Sequence, residues 1–416
     1  MRPRPTNRGI GLAIGGACAV VVGVGLGTVD LVQVGALVLL LVIGAYVITA
    51  VRDPGRGRHR LRVLRSVEPS PVHAGSVAHV QVDVAADDLS GRVRLAGLRL
   101  GEQASAELSG GRPLRARVTR TDRVVTLAYP VQATRRGRWA LGPLVVTRTD
   151  PFGVVRASST LGDAAEIAVW PAITELPVPR GVLVDEPDRV ALGARSPSTD
   201  DSSLREYQVG DDLRRVHWRS SARRGELVVR SDERAGMRPV TVLLDVPVRP
   251  EALEWSISLA ASIALAMLDA GHPVRLLGPA TSTADAAAAS THARPGPGSR
   301  ADLLDRTIDI EPPTASAADD QTLAAVRQML GTSSGGEIVM AVVGPLSGPT
   351  RTALAHLAST AQAWAMVRTD PAWSVAEHQE AQHTLDQLRR LGWRACPVRP
   401  EEDPVQCWLR MLGARS

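Results

Sequence analysis

The spacing of hydrophobic positions changes three times along the chain, and each change predicts a different kind of structure. Residues 10–29 are an apolar run, Asp30 interrupts it, and residues 31–51 form a second run. Each spans about 20 residues, the length at which a helix crosses a hydrocarbon core. A cleaved leader has a shorter apolar core and is not followed at once by a second span, so the pattern predicts a two-pass transmembrane hairpin over 10–51 behind a short N-terminus, 1–9. From 61 to 170 the period falls to two, as in Ala78-His79-Val80-Gln81-Val82-Asp83-Val84 and Val124-Val125-Thr126-Leu127-Ala128-Tyr129. Gly, Pro and Asp break these runs at near-regular intervals, which predicts an antiparallel all-β sandwich.

Residues 171–199 are rich in Pro, Gly and Asp and predict an extended linker, followed by a charged central segment, 200–235. From 236 to 416 strand-like and helix-like stretches alternate, as expected of a Rossmann-like α/β domain with a parallel sheet. Its predicted strands centre on 240–244, 274–277, 337–343, 363–367 and 394 onward. Its helices cover 251–270, 323–330, 350–359 and 375–391, with a last one ending near 412. The Ala/Ser/Gly/Pro-rich stretch 280–299 is predicted to be a mobile loop.

Charge sets the orientation. Arg2, Arg4 and Arg8 precede the first apolar run, five arginines between 52 and 62 follow the second, and the turn between them offers only Asp30. By the positive-inside rule both ends face the cytoplasm, so the soluble domains are expected on the cytoplasmic side of the plasma membrane, against its lipid. Glycines at 11, 15, 16, 23, 25 and 27 allow the two helices to pack closely. The 48 basic residues are all arginine and face 43 carboxylates, so the net charge of +5 does not call for nucleic acid as a partner. Cys18, Cys396 and Cys407 lack disulfide or zinc-ligand spacing. Phe152, in Asp150-Pro151-Phe152-Gly153, is expected as an aromatic plug beneath a tight turn, and His73 and His79 as surface or edge-strand residues.

The central segment carries Arg205, Glu206, Tyr207, Gly210, Asp211, Asp212, Arg214, His217, Trp218, Arg219 and Arg223. Asp212 suits the N-cap of a short helix reaching about Arg223, and 226–230 reads as a strand. Between 203 and 234 eight arginines meet six carboxylates, which favours a lattice of ion pairs fixing a joint between domains. The arginines at helical spacing offer a face to an acidic partner or to lipid headgroups. Asp211, Asp212, His217 and Glu226, with Ser220 or Ser221, are the residues from which a hydrolase would be built.

The ordered set Arg205-Glu206-Tyr207, Gly210-Asp211-Asp212, Arg214, His217-Trp218, Ala222-Arg223 and Gly225-Glu226-Leu227 resembles the bacterial family catalogued as domain of unknown function 58. Arg136-Gly137-Arg138, Gly142-Pro143-Leu144 and Asp150-Pro151-Phe152-Gly153 are similar to what its members carry in their β-domain. The resemblance implies a non-enzymatic membrane scaffold or adaptor without a cofactor. It would work beside a MoxR-type AAA+ ATPase and often a transglutaminase-like membrane protein; a membrane-bound hydrolase is the alternative.

The α/β region resembles the von Willebrand factor type A fold, whose metal site uses Asp-x-Ser-x-Ser. Here the string is Asp245-Val246-Pro247-Val248-Arg249. Pro247 and Arg249 stand where the hydroxyls belong, so Asp245 is expected at a degenerate metal position, with Arg249 placing a positive charge beside any cation there.

Overall fold

The structure, a computed structural model, describes residues 2–51, 61–86, 88–96, 98–178, 204–206, 221–222, 225–226, 228–230, 237–278, 291–332, 336–358 and 360–413. The chain divides into two units, Met1–Ala172 and Ile173–Ser416.

In the first unit a strand β1 (Arg2–Pro5) leads into two apolar helices, α1 (Asn7–Leu26) and α2 (Val29–Val51). Thr6 caps α1 by accepting from the Gly9 N–H at 3.1 Å, and Gly27, in the left-handed region, ends it. Both helices are long and apolar enough to span a membrane.

Only some of the glycines singled out from the sequence serve the packing of α1 on α2. The buried positions of α1 are Gly9, Gly16 and Gly23, seven residues apart, which is the repeat of a left-handed helix pair. A Cβ on Gly16 would lie 3.1 Å from the Gly35 carbonyl oxygen, and one on Gly23 would lie 2.9 Å from the Val32 nitrogen. Gly11, Gly15 and Gly25 face open space.

The β-domain follows with β2 (Leu61–Glu68), β3 (Val72–His73), β4 (Val77–Ala86), α3 (Leu89–Ala96), β5 (Arg99–Gly101) and α4 (Ala106–Ser109). It continues with β6 (Arg117–Arg120), β7 (Val124–Gln132), β8 (Gly137–Leu141), β9 (Leu144–Thr149), β10 (Val155–Leu161) and β11 (Ala165–Trp170). These form sheets in the orders β2-β4-β7-β6, β1-β10-β9-β5 and β3-β11-β8. All pairings are antiparallel except β3 with β11. The period-two alternation is what buries one face: Val80, Val82 and Val84 of β4 and Leu127, Tyr129 and Val131 of β7 share one core with Leu144, Val146 and Leu161.

Two details depart from expectation. Residues 2–5, part of the short N-terminus expected over 1–9, add an edge strand to the β-domain, with Arg2 opposite Ser158 and Pro5 opposite Val155; an edge position tolerates the missing N–H groups of Pro3 and Pro5. Phe152 is not a plug, since its residue is 62% exposed. The turn is braced instead by the Asp150 carboxylate, which accepts from the N–H groups of Phe152 (2.9 Å) and Val155 (2.5 Å). His73 lies in β3, with its Nδ1 2.9 Å from the Pro171 oxygen and its ring tilted on Trp170.

A Cβ on Gly9 would lie 2.2 Å from the Val154 oxygen, so Gly9→Ala must force α1 away from the start of β10. Amide exchange at Arg156 and Ser158 should accelerate, because their β1 partners depend on that contact. Unchanged exchange there would refute this coupling.

The second unit begins with chain that the sequence assigned to the linker. Leu176 is buried in the α/β core, the Thr174 N–H donates to Ser262 Oγ (3.0 Å), and Trp408 Nε1 donates to the Pro177 oxygen (2.6 Å). Short strands β12 (Leu204–Glu206) and β13 (Val228–Arg230) pair antiparallel. The rest comprises β14 (Val240–Leu244), α5 (Pro250–Asp269), β15 (Val274–Leu277), α6 (Ser299–Ile308), α7 (Ala315–Thr332), β16 (Ile338–Val343), α8 (Gly348–Leu357), β17 (Gln362–Arg368), α9 (Val375–Arg390), β18 (Arg394–Val398) and α10 (Pro404–Leu412).

The five parallel strands run in the order β15-β14-β16-β17-β18. Alternate residues serve opposite faces. Val240, Val242, Ile338, Met340, Trp364 and Met366 pack with α5 and α10, whereas Leu243, Val339, Ala341, Ala365 and Val367 pack with α7, α8 and α9. Strands buried on both sides explain the near-continuous apolar runs. Helix α5 is also long and apolar enough to span a membrane, but its residues from Leu253 to Leu268 are mostly buried in this core, where a helix that is apolar all round belongs.

The predicted mobile loop is partly structured. Ala293 bridges Val274 antiparallel and Ser299 opens α6, while 279–290 lie outside the described residues.

Candidate functional site

In a doubly wound sheet, ligands bind beyond the carboxyl ends of the strands where the strand order reverses. Here the first strand, β14, lies between the second, β15, and the third, β16, so the reversal falls between β14 and β16. A crevice of about 220 Å³ opens near that point, lined by Asp245, Arg249, Asp319, Pro345, Arg368 and Trp373 among others.

Asp245, the residue after β14, points into a set of donors that engages both of its carboxylate oxygens. Its Oδ1 accepts from Thr322 Oγ1 of α7 at 2.8 Å. Its Oδ2 accepts from the Gly344 N–H at 2.8 Å and from Nη2 of Arg368, the last residue of β17. Arg368 Nη1 reaches the Asp245 carbonyl oxygen (3.2 Å) and Ser256 Oγ of α5 (2.9 Å). Both residues are buried. Burial pushes the Arg368 guanidinium down and the Asp245 carboxylate pulls it back, so the cost of placing the cation here is offset by its partner. Arginine stays protonated in such settings.

The cation beside Asp245 is therefore Arg368, which corrects the expectation for Arg249. Arg249 is turned to the rim, where its Nη1 pairs with Asp370 at 2.9 Å. A buried guanidinium from β17 already takes the Asp245 carboxylate, and Arg249 is satisfied by Asp370. Among the described residues no group of three His, Cys, Asp or Glu side chains is placed to hold a metal ion.

The rest of the rim is mixed. Asp319 is held above its ordinary value by burial first and then by the charges of Asp245, Glu380 and Asp320. Glu377 is committed to capping α9, accepting from the N–H (2.7 Å) and hydroxyl (2.8 Å) of Ser374, which holds its carboxyl below the usual range. Val248 is exposed and Trp373 half-buried. An aromatic, an aliphatic and an Arg–Asp pair around a shallow opening suit a protein segment.

A second polar cluster lies at the opposite, amino end of the strands. Glu337, just before β16, accepts from Thr241 Oγ1 and from Arg275 Nη2 (3.1 Å to Oε1), with His292 Nε2 2.9 Å away. Arg275 also donates to Thr241 Oγ1 and Thr332 Oγ1, both at 2.6 Å. Burial pushes Glu337 up, but the hydrogen bonds from His292 and Thr241 and the charge of Arg275 outweigh it and hold the carboxyl below its ordinary value. The sequence signal for this cluster was one Arg inside the apolar strand Val274-Arg275-Leu276-Leu277.

Of the central motif, Arg205 and Glu206 lie in β12, opposite Val229 and Val228 of β13. Tyr207, Gly210, Asp211, Asp212, Arg214, His217, Trp218, Arg219 and Arg223 lie outside the described residues, as do Ser220 and most of the predicted 212–223 helix. Ser221 is buried in a short helical turn. Cys396 and Cys407 are free and buried, and burial pushes their thiols up to about 11 and about 12; neither is a reactive thiolate at neutral pH.

Residues 203–371 match the family described as Protein of unknown function DUF58, a span from the central motif through β17. No curated protein matches the chain.

Proposed function

We propose that this protein, whose residues 203–371 match the DUF58 family, is a membrane-tethered, non-enzymatic adaptor. Helices α1 and α2 hold it in the bilayer with both termini cytoplasmic, and the α/β unit, read as von Willebrand A-like, presents the crevice rim to a protein partner. The observation that carries this reading is the state of Asp245. At the position where such sheets place a metal-binding or reacting carboxylate, Thr322, Gly344 and Arg368 engage both of its oxygens, and the Arg368 guanidinium neutralises the charge that would attract a metal ion. The partner proposed from the family resemblance is a MoxR-type AAA+ ATPase, with a transglutaminase-like membrane protein as a further component.

Affinity purification from detergent extracts tests the adaptor role. The full chain is expected to retain an AAA+ ATPase that residues 1–172 alone do not, and paired Trp373→Ala and Asp370→Arg changes at the rim should release it. Identical protein sets from both baits would refute the proposal. Orientation has its own test. In a Cys18→Ser background, Thr28→Cys should react with a membrane-impermeant maleimide added outside intact cells, because the α1–α2 turn then faces outward; protection until lysis would reverse the topology.

A further inference from the structure

Phe152, the one phenylalanine of the chain, is held out at the tip of a braced turn, and the position of that turn supplies the reason. The Thr6 N–H donates to the Val154 oxygen (2.8 Å) and Thr6 Oγ1 to the Gly153 oxygen (2.6 Å). Gly9 of α1 approaches Val154 so closely that no Cβ fits. Val154 and Val155 share a buried cluster with Ala45 of α2, against which Val42 also packs. The turn is thus level with the first turn of α1 and with a point six residues inside the end of α2 at Val51, about 9 Å along its axis. On α1 this is where Arg8 gives way to the apolar run beginning at Ile10, which places the turn where headgroups meet hydrocarbon.

We propose that the Asp150–Gly153 turn is a membrane-docking element, with the Phe152 ring inserted at the acyl–headgroup boundary of the leaflet around α1 and α2. A rigid turn presenting an exposed aromatic at that depth matches the way interfacial anchors bury apolar area without spanning. Charge fits the same occupant. Arg4 and Arg156, paired across β1 and β10, are exposed, as is Arg8, and basic side chains at this level attract anionic headgroups. The contact gives the β-domain a hold on the bilayer besides the two helices, and so fixes which of its faces turns toward the membrane.

The test is site-directed spin labelling of the full chain in phosphatidylethanolamine–phosphatidylglycerol nanodiscs. Cys18→Ser removes the exposed thiol, and Cys396 and Cys407 are buried. Labels are placed through Phe152→Cys, through Leu40→Cys on the exposed face of α2 as a hydrocarbon reference, and through Glu107→Cys in the β-domain as an aqueous reference. At position 152 we expect loss of broadening by a water-soluble nickel reagent and gain of broadening by oxygen, as at position 40, with position 107 showing the reverse. Nickel broadening at 152 equal to that at 107 would overturn the proposal by showing the turn in water. Protection from both reagents would also overturn it, because protein rather than lipid would then cover the ring.

Discussion

Replacing Asp245 with alanine is expected to destabilise the α/β unit by about 3–5 kcal/mol, the cost of leaving a buried charge without its partner. Arg368 is 3% exposed, and its guanidinium has Asp245 as its only carboxylate among the described ion pairs. Removing the carboxylate also strips an acceptor from Thr322 and from the Gly344 N–H. At about 2–4 °C per kcal/mol for a domain of this size, Tm should fall by roughly 6–20 °C. Combining Asp245→Asn with Arg368→Gln should recover most of that loss, because no buried charge then remains, the amide oxygen can still accept from the Gly344 N–H, and the amide NH2 can donate to the Thr322 hydroxyl oxygen. If the single change is neutral and the double no better, Arg368 is not held as described.

At the other end of the sheet, Glu337→Leu should cost a similar amount, about 3–5 kcal/mol, by removing the carboxylate paired with the buried Arg275 guanidinium. The site is 1% exposed at Glu337 and 0% at Arg275, so solvent offers little relief. Hydrogen exchange of the β14 and β16 amides reads this directly, with rates rising by roughly 10² to 10⁴-fold if opening of the unit controls them. Glu337→Gln adds a pH signature. Because the folded carboxyl is held below its ordinary value, its stabilisation is complete above the unfolded value of about 4.3 and is lost as pH falls through the folded one. The difference in stability between the natural chain and Glu337→Gln should therefore shrink on acidification. A gap that stays constant with pH would show that the carboxylate charge is not what holds Arg275.

Much of this architecture was legible because burial imposes periodicity. Two apolar runs gave the paired helices, alternation gave the antiparallel sheets, and runs buried on both sides gave the parallel one. Asp245 stood out because an acidic residue ending an apolar strand has few structural excuses. Its partner did not stand out. Arg368 lies 123 residues away, and an arginine closing a strand reads locally as an ordinary solvated end. Arg249, nearer in sequence, drew the expectation and proved to serve Asp370. The N-terminal strand was hidden because Arg-Pro-Arg-Pro has no alternation to read, and only its neighbour β10 makes it a strand. For Phe152 the turn was readable, but the direction of the ring depends on α1 and α2 lying beside it. Side-chain contacts across long sequence separations are set by packing, and local pattern carries no record of them.

The account turns on the Asp245 carboxylate being neutralised by Arg368 rather than by a metal ion, and a manganese titration of the purified full chain, followed by the electron paramagnetic resonance signal of the free ion, tests that most directly. The free-ion signal should rise with added metal as it does in buffer, for the natural chain and for Asp245→Asn alike. Stoichiometric loss of that signal in the natural chain, restored by Asp245→Asn, would show a working metal site where Arg368 is placed and would contradict the account.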